Sequence, residues 1–301
     1  MVPMPEATSR SADTHQPLTP PPHGPELATA LQAFIDWRRN PIPAELSPEN
    51  PDETFTVAFW NIQRIPFAGL RNPDYRRGRL DVMMNILGQA DIAAIAEQFM
   101  RAPNTDHPYR VDDNQRQRMR LLPPGSRSHG LNISADMPLT NTQEGYYSAC
   151  GPNNADCRVR KGFIITQLST PRGPITVVTT HLDSGNDPRD HAARAVQLTE
   201  LGQALEAYAE MPLILMGDMN LTATDAAENA QLMAFLDAHG LTVNARQTGK
   251  GHDIIASRGL ELVNTMEYYA PDLTDHPLEM ARFRLPSSSM QQPLTVTAAT
   301  R

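Results

Sequence analysis

The chain has 301 residues, of which 40% are hydrophobic and 20% are charged, and its formal net charge is −8. This composition is typical of a globular protein that is long enough to bury a sizeable core. The acidic balance argues against a protein that binds nucleic acid through a broad basic surface. The sequence also has no run of about eighteen apolar residues, so no membrane span is expected.

Residues 1–52 form a Pro-rich N-terminal segment that is predicted to be disordered apart from a short amphipathic helix at about 26–39. The helix ends before Pro41, where a Pro-rich linker begins. Because no basic start is followed by an apolar stretch, we expect no conventional signal peptide. The protein is expected to be soluble, and either cytoplasmic or exported by a signal-independent route.

Residues 53–286 are predicted to form one α/β domain, because strand-like apolar runs are interspersed with helix-like segments, and residues 287–301 are predicted to be a flexible tail. A hairpin turn is expected at 169–173, between two of the runs. The strand-like runs are FTVAFW (55–60), DIAAIA (91–96), GFIITQL (162–168), PITVVTT (174–180) and PLILMG (212–217).

Three helices are predicted from apolar residues at helical spacing, over residues 77–90, 188–209 and 226–239. Asp187 and Pro188 provide a cap and a first-turn proline for the second helix. Asp225 and Glu228 have the spacing of a capping box for the third helix. The sequence LEMARFRL (278–285) predicts a further strand with alternating faces.

Two other patterns leave alternatives open. Arginines cluster in two stretches, and an exposed face or loop is the favoured interpretation of both, although the second stretch is also the best argument for a nucleic-acid groove. Cys150 and Cys157 enclose a loop that a disulfide could close, and two reduced thiols fit the spacing equally well. The arginines are Arg71, Arg76, Arg77 and Arg79, and then Arg110, Arg116, Arg118, Arg120 and Arg127.

Polar residues of a few types directly follow the apolar strands. They are Asn61, Glu97, His181, Asp218 and Asn220. Ligands of α/β proteins collect at strand ends, where loops leave a rigid sheet. If strand geometry persists, Asp218 and Asn220 point the same way and Met219 points back into the core. Each residue alone is an ordinary turn or cap residue, so the ordered set is what indicates a functional site.

The ordered set resembles the endonuclease/exonuclease/phosphatase superfamily, which includes deoxyribonucleases and neutral sphingomyelinases. The resemblance spans residues 55–285 and implies a four-layer α/β sandwich, in which two mixed β-sheets pack face to face with helices outside. Ala96 departs from the family, which has Gln before the glutamate, and Gln63 departs from the Asp of the apurinic endonucleases. The matching pieces are FWNI (59–62), DIAAIAE (91–97), TTHL (179–182), Arg194-x-x-Gln197, GDMN (217–220), HDII (252–255) and TDHP (274–277).

The resemblance implies a metal-dependent phosphodiesterase that hydrolyses a phosphate ester with an activated water. It assigns Asn61, Glu97 and Asp275 to the metal, and their hard oxygen ligands suit Mg²⁺ or Mn²⁺. His276 is the expected general acid/base, and Asp253 holds its ring or completes a second metal position.

The remaining catalytic residues that the resemblance assigns are His181, Asp218 and Asn220. Asp218 would orient or deprotonate the attacking water, Asn220 would hold a phosphoryl oxygen, and His181 would donate to the phosphate. No G-x-S-x-G or H-E-x-x-H motif occurs, so serine-hydrolase and zinc-protease chemistry lack their signals.

Candidate substrate contacts are Tyr146, Arg160, Lys161 and Arg194, although a tie between helix and sheet edge is the favoured interpretation of Arg194. The substrate is predicted to be a nucleic acid, or a phospholipid or inositol phosphate as in the sphingomyelinase-like branch. A monomer is expected. A non-catalytic binding protein of the same fold is the alternative from another functional class.

Overall fold

The computed structural model describes most of the predicted α/β domain. The predicted N-terminal helix, the linker, the C-terminal tail and nearly all of the second arginine stretch lie outside the described residues, so the proposed domain boundaries stay predictions. The described residues are 54–65, 78–100, 104–112, 128–151, 157 and 159–285.

The strands within this part of the chain form two six-stranded sheets. In chain order they are β1 (Thr54–Arg64), β2 (Ile92–Gln98), β3 (Tyr109–Asp112), β4 (Asn132–Ala135), β5 (Leu139–Tyr146), β6 (Gly162–Thr170), β7 (Gly173–His181), β8 (Leu213–Asp218), β9 (Thr242–Arg246), β10 (Asp253–Arg258), β11 (Glu261–Tyr268) and β12 (Leu278–Arg284). The first sheet has the order β11-β12-β1-β2-β4-β3, and the second has the order β5-β6-β7-β8-β10-β9. Both sheets are mixed, because β1 and β2 are parallel, as are β7 and β8, while the other pairs are antiparallel.

Helices cover the outer faces of the sheets. They are α1 (Arg79–Leu87), α2 (Pro188–Leu205), which a 3-10 turn at Glu206–Tyr208 follows, and α3 (Ala226–Ala238). Asp187 caps α2 as predicted, and Asp190 completes a capping box with it. Asp225 caps α3, but the predicted partner Glu228 bonds elsewhere, so this prediction was only half right.

Three apolar clusters define four layers and confirm the predicted sandwich. One cluster lies between the sheets and includes Phe59 of β1 and Met216 of β8. A second packs the outer face of the second sheet against α2 and α3, and a third packs the outer face of the first sheet against α1. No helix in the described ranges is long and apolar enough to cross a membrane.

Two predictions about polar residues were wrong. Strand β12 does not alternate between core and solvent, since it lies between β11 and β1 with apolar layers on both faces, and Glu279 and Arg282 are therefore buried. Arg79 does not belong to an exposed arginine face, because its side chain is buried at the start of α1.

Cys150 and Cys157 form a disulfide, and their Cα atoms are 5.3 Å apart. Of the two alternatives, the disulfide is therefore the one that the structure contains. The predicted hairpin turn is also present, because Thr170 pairs with Gly173 across the β6–β7 turn.

Candidate active site

The inner faces of the two sheets end in polar residues at the same edge of the sandwich. In β1 the residues that face the inter-sheet core are Phe55, Val57 and Phe59, and Asn61 is the next position in this row. In the second sheet, alternate residues of β7, β8 and β10 face the same inter-sheet core. The inward-facing rows end in His181 of β7, Asp218 of β8 and, at the start of the antiparallel β10, Asp253.

Asp218 is the centre of this polar edge. It is paired in register with His181 on one neighbouring strand and with Asp253 on the other. Its Oδ2 atom accepts a 3.0 Å hydrogen bond from Nδ2 of Asn61, which joins the two sheets. Its Oδ1 atom accepts a 3.0 Å bond from the backbone N–H of Asn220.

Asp218 is held as a carboxylate. Burial raises the pKa of this group, but the charges of His181 and His276 outweigh burial and hold that pKa well below its usual range. A group in this state accepts hydrogen bonds at neutral pH and cannot donate one.

His276 and Asp253 form a partly buried hydrogen-bonded pair, in which Nδ1 of the ring lies 2.8 Å from Oδ2 of the carboxylate. Burial lowers the pKa of His276, but the Asp253 carboxylate more than reverses this and raises the pKa to about 10. The ring is therefore protonated at neutral pH. Because Nδ1 is engaged by Asp253, Nε2 is the atom that can donate towards a substrate.

His181 and Lys161 supply positive charge beside Asp218. His181 is 1% exposed, and its Nε2 atom lies 3.5 Å from Oδ2 of Asp218. The Nζ atom of the buried Lys161 lies 2.6 Å from the same ring nitrogen. The site thus contains neighbouring groups of both charges, which is the arrangement that shifts pKa values at catalytic centres.

Left-handed backbone conformations position three residues at this edge. The φ angles are 46° at Gln63, 59° at Glu97 and 47° at Asn220, and none of them is a glycine. Strand parity alone would turn Glu97 to the outer face, with Ile95 and Ala93. With its left-handed backbone, Glu97 instead places its carboxylate 3.9 Å from the His181 ring.

Two groups of side chains could hold a cation. The predicted ligands Asn61, Glu97 and Asp275 all lie at this edge, and Gln63 links two of them because its backbone N–H donates to Asn61 and its side chain donates to Asp275. The second group is Asp218, Asp253 and His276, whose ligand atoms all lie within 4.8 Å of one another.

The predicted substrate contacts divide into two that are open to a ligand and two that are enclosed. The Arg160 guanidinium is exposed and stands over the Tyr146 ring at 5.8 Å. Lys161 is buried, but it reaches the site through His181.

Arg194 is fully buried, and its guanidinium bonds the carboxylate of Glu228 and the carbonyls of Asp183 and Gly185. The prediction that Arg194 contacts substrate is therefore corrected: the residue ties α2 and α3 to the loop that follows His181.

Sequence reasoning missed three residues that contact the site. Gln63 was noted only as a departure from a family pattern, although it bonds Asp275. His252 bonds Thr222 through its Nε2 atom, and burial lowers its pKa. Arg79 bonds backbone carbonyls at the end of β1 and in the loop between β11 and β12, both of which carry site residues. Its position in the first turn of an amphipathic helix was the available signal.

Several solved structures share this architecture at low sequence identity. Sphingomyelinase C from Streptomyces griseocarneus has a TM-score of 0.58 at 16% identity, over 76% of this chain and 99% of that chain. An endonuclease/exonuclease/phosphatase from Beutenbergia cavernae DSM 12333 has a TM-score of 0.57 at 14% identity, over 78% and 72% of the two chains. A mutant of beta toxin from Staphylococcus aureus with bound magnesium ions has a TM-score of 0.56 at 15% identity, over 75% and 98%.

No protein-family model and no curated protein matches the sequence. The likeness to the solved structures establishes the fold, and the activities in their names are those of other proteins. The motif resemblance predicted the same architecture independently. The chain has the fold of the endonuclease/exonuclease/phosphatase superfamily.

Proposed function

We propose that this chain is a metal-dependent phosphodiesterase whose catalytic domain is residues 53–286. The observation that carries the proposal is the protonated His276–Asp253 pair beside the ionised Asp218 carboxylate, at the edge where the two sheets meet. This arrangement offers a proton donor and a hydrogen-bond acceptor to one substrate, as phosphoester hydrolysis requires. The sphingomyelinase and endonuclease/exonuclease/phosphatase neighbours support the class of reaction.

The residues at this edge fit a hard divalent cation. Glu97 and Asp275 offer carboxylates that are 19% and 50% exposed, so an ion can reach them from solvent, and Asn61 offers an amide oxygen. We favour this set over Asp218, Asp253 and His276, because a cation there would have to displace the hydrogen bond between His276 and Asp253. When bound, Mg²⁺ or Mn²⁺ supplies positive charge that neutralises the phosphate and the charge that develops on it.

The protein groups then divide the reaction among them. Asp218 accepts a hydrogen bond from the attacking water, orients it and takes up the proton that the water loses as its oxygen bonds to phosphorus. Asn220 and His181 donate to the non-bridging oxygens of the phosphate, with Lys161 adding positive charge behind the His181 ring. Nε2 of His276 gives its proton to the leaving oxygen, and Asp253 holds the ring in place.

The substrate side is defined by Arg160 and Tyr146, whose stacked side chains form a cationic and aromatic rim. Such a rim suits a phosphodiester that carries a further polar group, either a nucleotide or a phospholipid head group. A nucleic acid and a phospholipid or inositol phosphate are therefore the substrate classes to compare.

The proposal is tested by a panel of phosphodiesters, with each substrate assayed in Mg²⁺, Mn²⁺, Ca²⁺ and EDTA. The panel contains bis(p-nitrophenyl) phosphate, plasmid DNA, RNA, sphingomyelin vesicles and phosphoinositide vesicles. We expect hydrolysis in Mg²⁺ or Mn²⁺ and none in EDTA, and the best substrate identifies the class. Activity that survives EDTA would contradict the metal requirement. A folded protein that hydrolyses nothing would favour a non-catalytic binding protein.

A further inference from the structure

Arg79 is a buried arginine that joins the end of β1 to the loop between β11 and β12 at the candidate site. Its side chain is 7% exposed, and its guanidinium donates to three backbone carbonyls. Nη1 bonds the carbonyls of Ile62 and Leu273 over 2.7 and 2.5 Å, and Nη2 bonds the carbonyl of Gln63 over 2.8 Å. Hydrogen bonds from a charged donor are shorter and stronger than neutral ones, so this contact is a firm link.

The three carbonyls belong to segments that carry the proposed metal ligands. Ile62 and Gln63 directly follow Asn61, and Leu273 is two residues before Asp275. Without Arg79, these segments would present backbone carbonyl oxygens to a buried space, which is unfavourable for oxygens that have no donor.

Further bonds show that these two segments are built as one unit. The hydroxyl of Thr274 donates to the carbonyl of Asn61 over 3.0 Å. The indole N–H of Trp60 donates to the carbonyl of His276 over 2.9 Å. Arg79 belongs to neither segment, because it is part of α1. It lies one helical turn from Met83, which is part of the apolar cluster between α1 and the first sheet.

We propose that Arg79 is a positioning residue that fixes the spacing between Asn61 and Asp275 and thereby sets the affinity of the site for its divalent cation. The proposal rests on the proposed function for the identity of the ligands, and it adds a residue that touches neither metal nor substrate. Residues that hold ligands in place typically change metal affinity by about 10–100-fold when they are replaced.

Lysine cannot replace Arg79 in this arrangement. The planar guanidinium presents donors in two directions at once, and here they bond carbonyls on both segments. A lysine ammonium keeps the charge but is a single point on a flexible stem. Arg79→Lys therefore loosens one segment relative to the other without removing the positive charge.

Arg258 provides a matched control. It is a partly buried arginine, and its guanidinium also donates to three backbone carbonyls, those of Tyr208, Met211 and His239. It lies at the other end of β10, five residues or about 17 Å along the strand from Asp253. Arg258→Lys disturbs the same kind of bond network away from the candidate site.

The experiment measures Mg²⁺ binding by isothermal titration calorimetry on the full-length wild type, Arg79→Lys and Arg258→Lys, together with the melting temperature of each. We expect Arg79→Lys to weaken Mg²⁺ binding at least about tenfold and Arg258→Lys to leave it within about twofold. We expect both variants to melt at lower temperature. Arg79→Lys with the affinity of the wild type would overturn the proposal, as would an equal loss of affinity in both variants.

A second variant covers the case in which Arg79→Lys does not fold. Thr274→Val is nearly isosteric and removes the bond to the carbonyl of Asn61 from the same unit, so we expect weaker Mg²⁺ binding in this variant too. Unchanged affinity in folded Thr274→Val would then overturn the proposal.

The outcome is separable from that of the proposed function. A wild type that binds Mg²⁺ but hydrolyses no phosphodiester would remove the proposed activity and leave the role of Arg79 measurable. A wild type that binds no divalent cation would overturn both.

Discussion

The two sheets contribute unequal halves to the candidate site. The first sheet and its loops supply Asn61, Glu97 and Asp275, and the two carboxylates in this set are partly exposed. The second sheet supplies His181, Asp218 and Asp253, whose side chains are at most 2% exposed. One half is therefore open to exchange with solvent, while the other is a closed network of charges.

Under the proposed function, the difference in exposure lets one site meet two requirements. A cation must enter and leave, so its ligands need an open side. Proton donors and acceptors need shifted pKa values, which require burial and close neighbours. Different interactions also stabilise the two halves. Arg79 bonds backbone carbonyls of the open half, and the Arg194–Glu228 ion pair braces the closed half.

The largest effect is expected in the closed half. Asp218→Ala removes the group that we propose orients the attacking water, so we expect turnover of the best phosphodiester to fall at least about 10²-fold. The circular dichroism spectrum should stay native. Asp237→Ala, at an exposed position of α3, is the control and should keep full activity. Retained activity in folded Asp218→Ala would remove the role assigned to this residue.

A large loss of stability is expected when the Arg194–Glu228 ion pair, which braces the closed half, is broken. Glu228→Gln breaks a buried ion pair with Arg194 and weakens the bond that Glu228 accepts from the N–H of Thr222. We expect the free energy of unfolding, measured in urea, to fall by about 3 kcal/mol.

The control for Glu228→Gln is a variant that breaks an ion pair at the surface. Glu261→Gln breaks the exposed bond with Arg284 and should cost less than about 1 kcal/mol. Equal losses in the two variants would mean that burial does not distinguish the two ion pairs.

The His276–Asp253 pair predicts a pH dependence of stability. The pKa of His276 is raised from 6.5 to about 10 in the folded protein, because the Asp253 carboxylate stabilises the protonated ring. The folded state therefore binds this proton more tightly than the unfolded state does, and the resulting stabilisation is fully present below pH 6.5 and is lost as pH rises through about 10.

The measurement compares the wild type with His276→Gln by urea unfolding in EDTA between pH 6 and pH 10, a range of about the width of that pKa shift. The stability difference between the two proteins should shrink as pH rises. A difference that is constant with pH would mean that the pKa of His276 is not raised.

The smallest effect is expected in the open half. Gln63→Asn keeps an amide and a residue type that tolerates a left-handed backbone, but its shorter side chain cannot reach Asp275. Because the lost bond is exposed, we expect the Mg²⁺ concentration for half-maximal activity to rise by only about threefold. A rise as large as that expected for Arg79→Lys would mean that the open half depends on surface bonds as strongly as on buried ones.

The central strands and their polar ends were predictable, because the period of a strand and the apolar runs together place Asn61, His181, Asp218 and Asp253 at one edge. The direction of Glu97 was not predictable, since no glycine marks its left-handed backbone. The edge strand β5, with the sequence LTNTQEGY, was also missed, because its residues are mostly exposed and carry no apolar run.

Burial of arginine was not predictable either. The sequence placed Arg79 on an exposed face. For Arg194 it favoured a tie between helix and sheet edge but did not indicate burial, since an arginine stem packs in a core as readily as on a surface. What decides burial is the supply of acceptors, and here these come from loops distant in sequence, such as that of Leu273. The residues close to an arginine in sequence carry no information about acceptors that lie far from it along the chain.

The left-handed residues at the site bear on any attempt to engineer a more robust form of this protein. A designer who ranks substitutions by backbone preference would choose glycine at Gln63, Glu97 and Asn220, and each change would relieve roughly 1 kcal/mol of conformational cost. Each would also delete a side chain of the site. Asn141 has the same backbone conformation on the exposed strand β5 and is not among the residues to which a role is assigned. Thermal robustness can therefore be sought at Asn141, where a change to glycine removes no side chain of the candidate site.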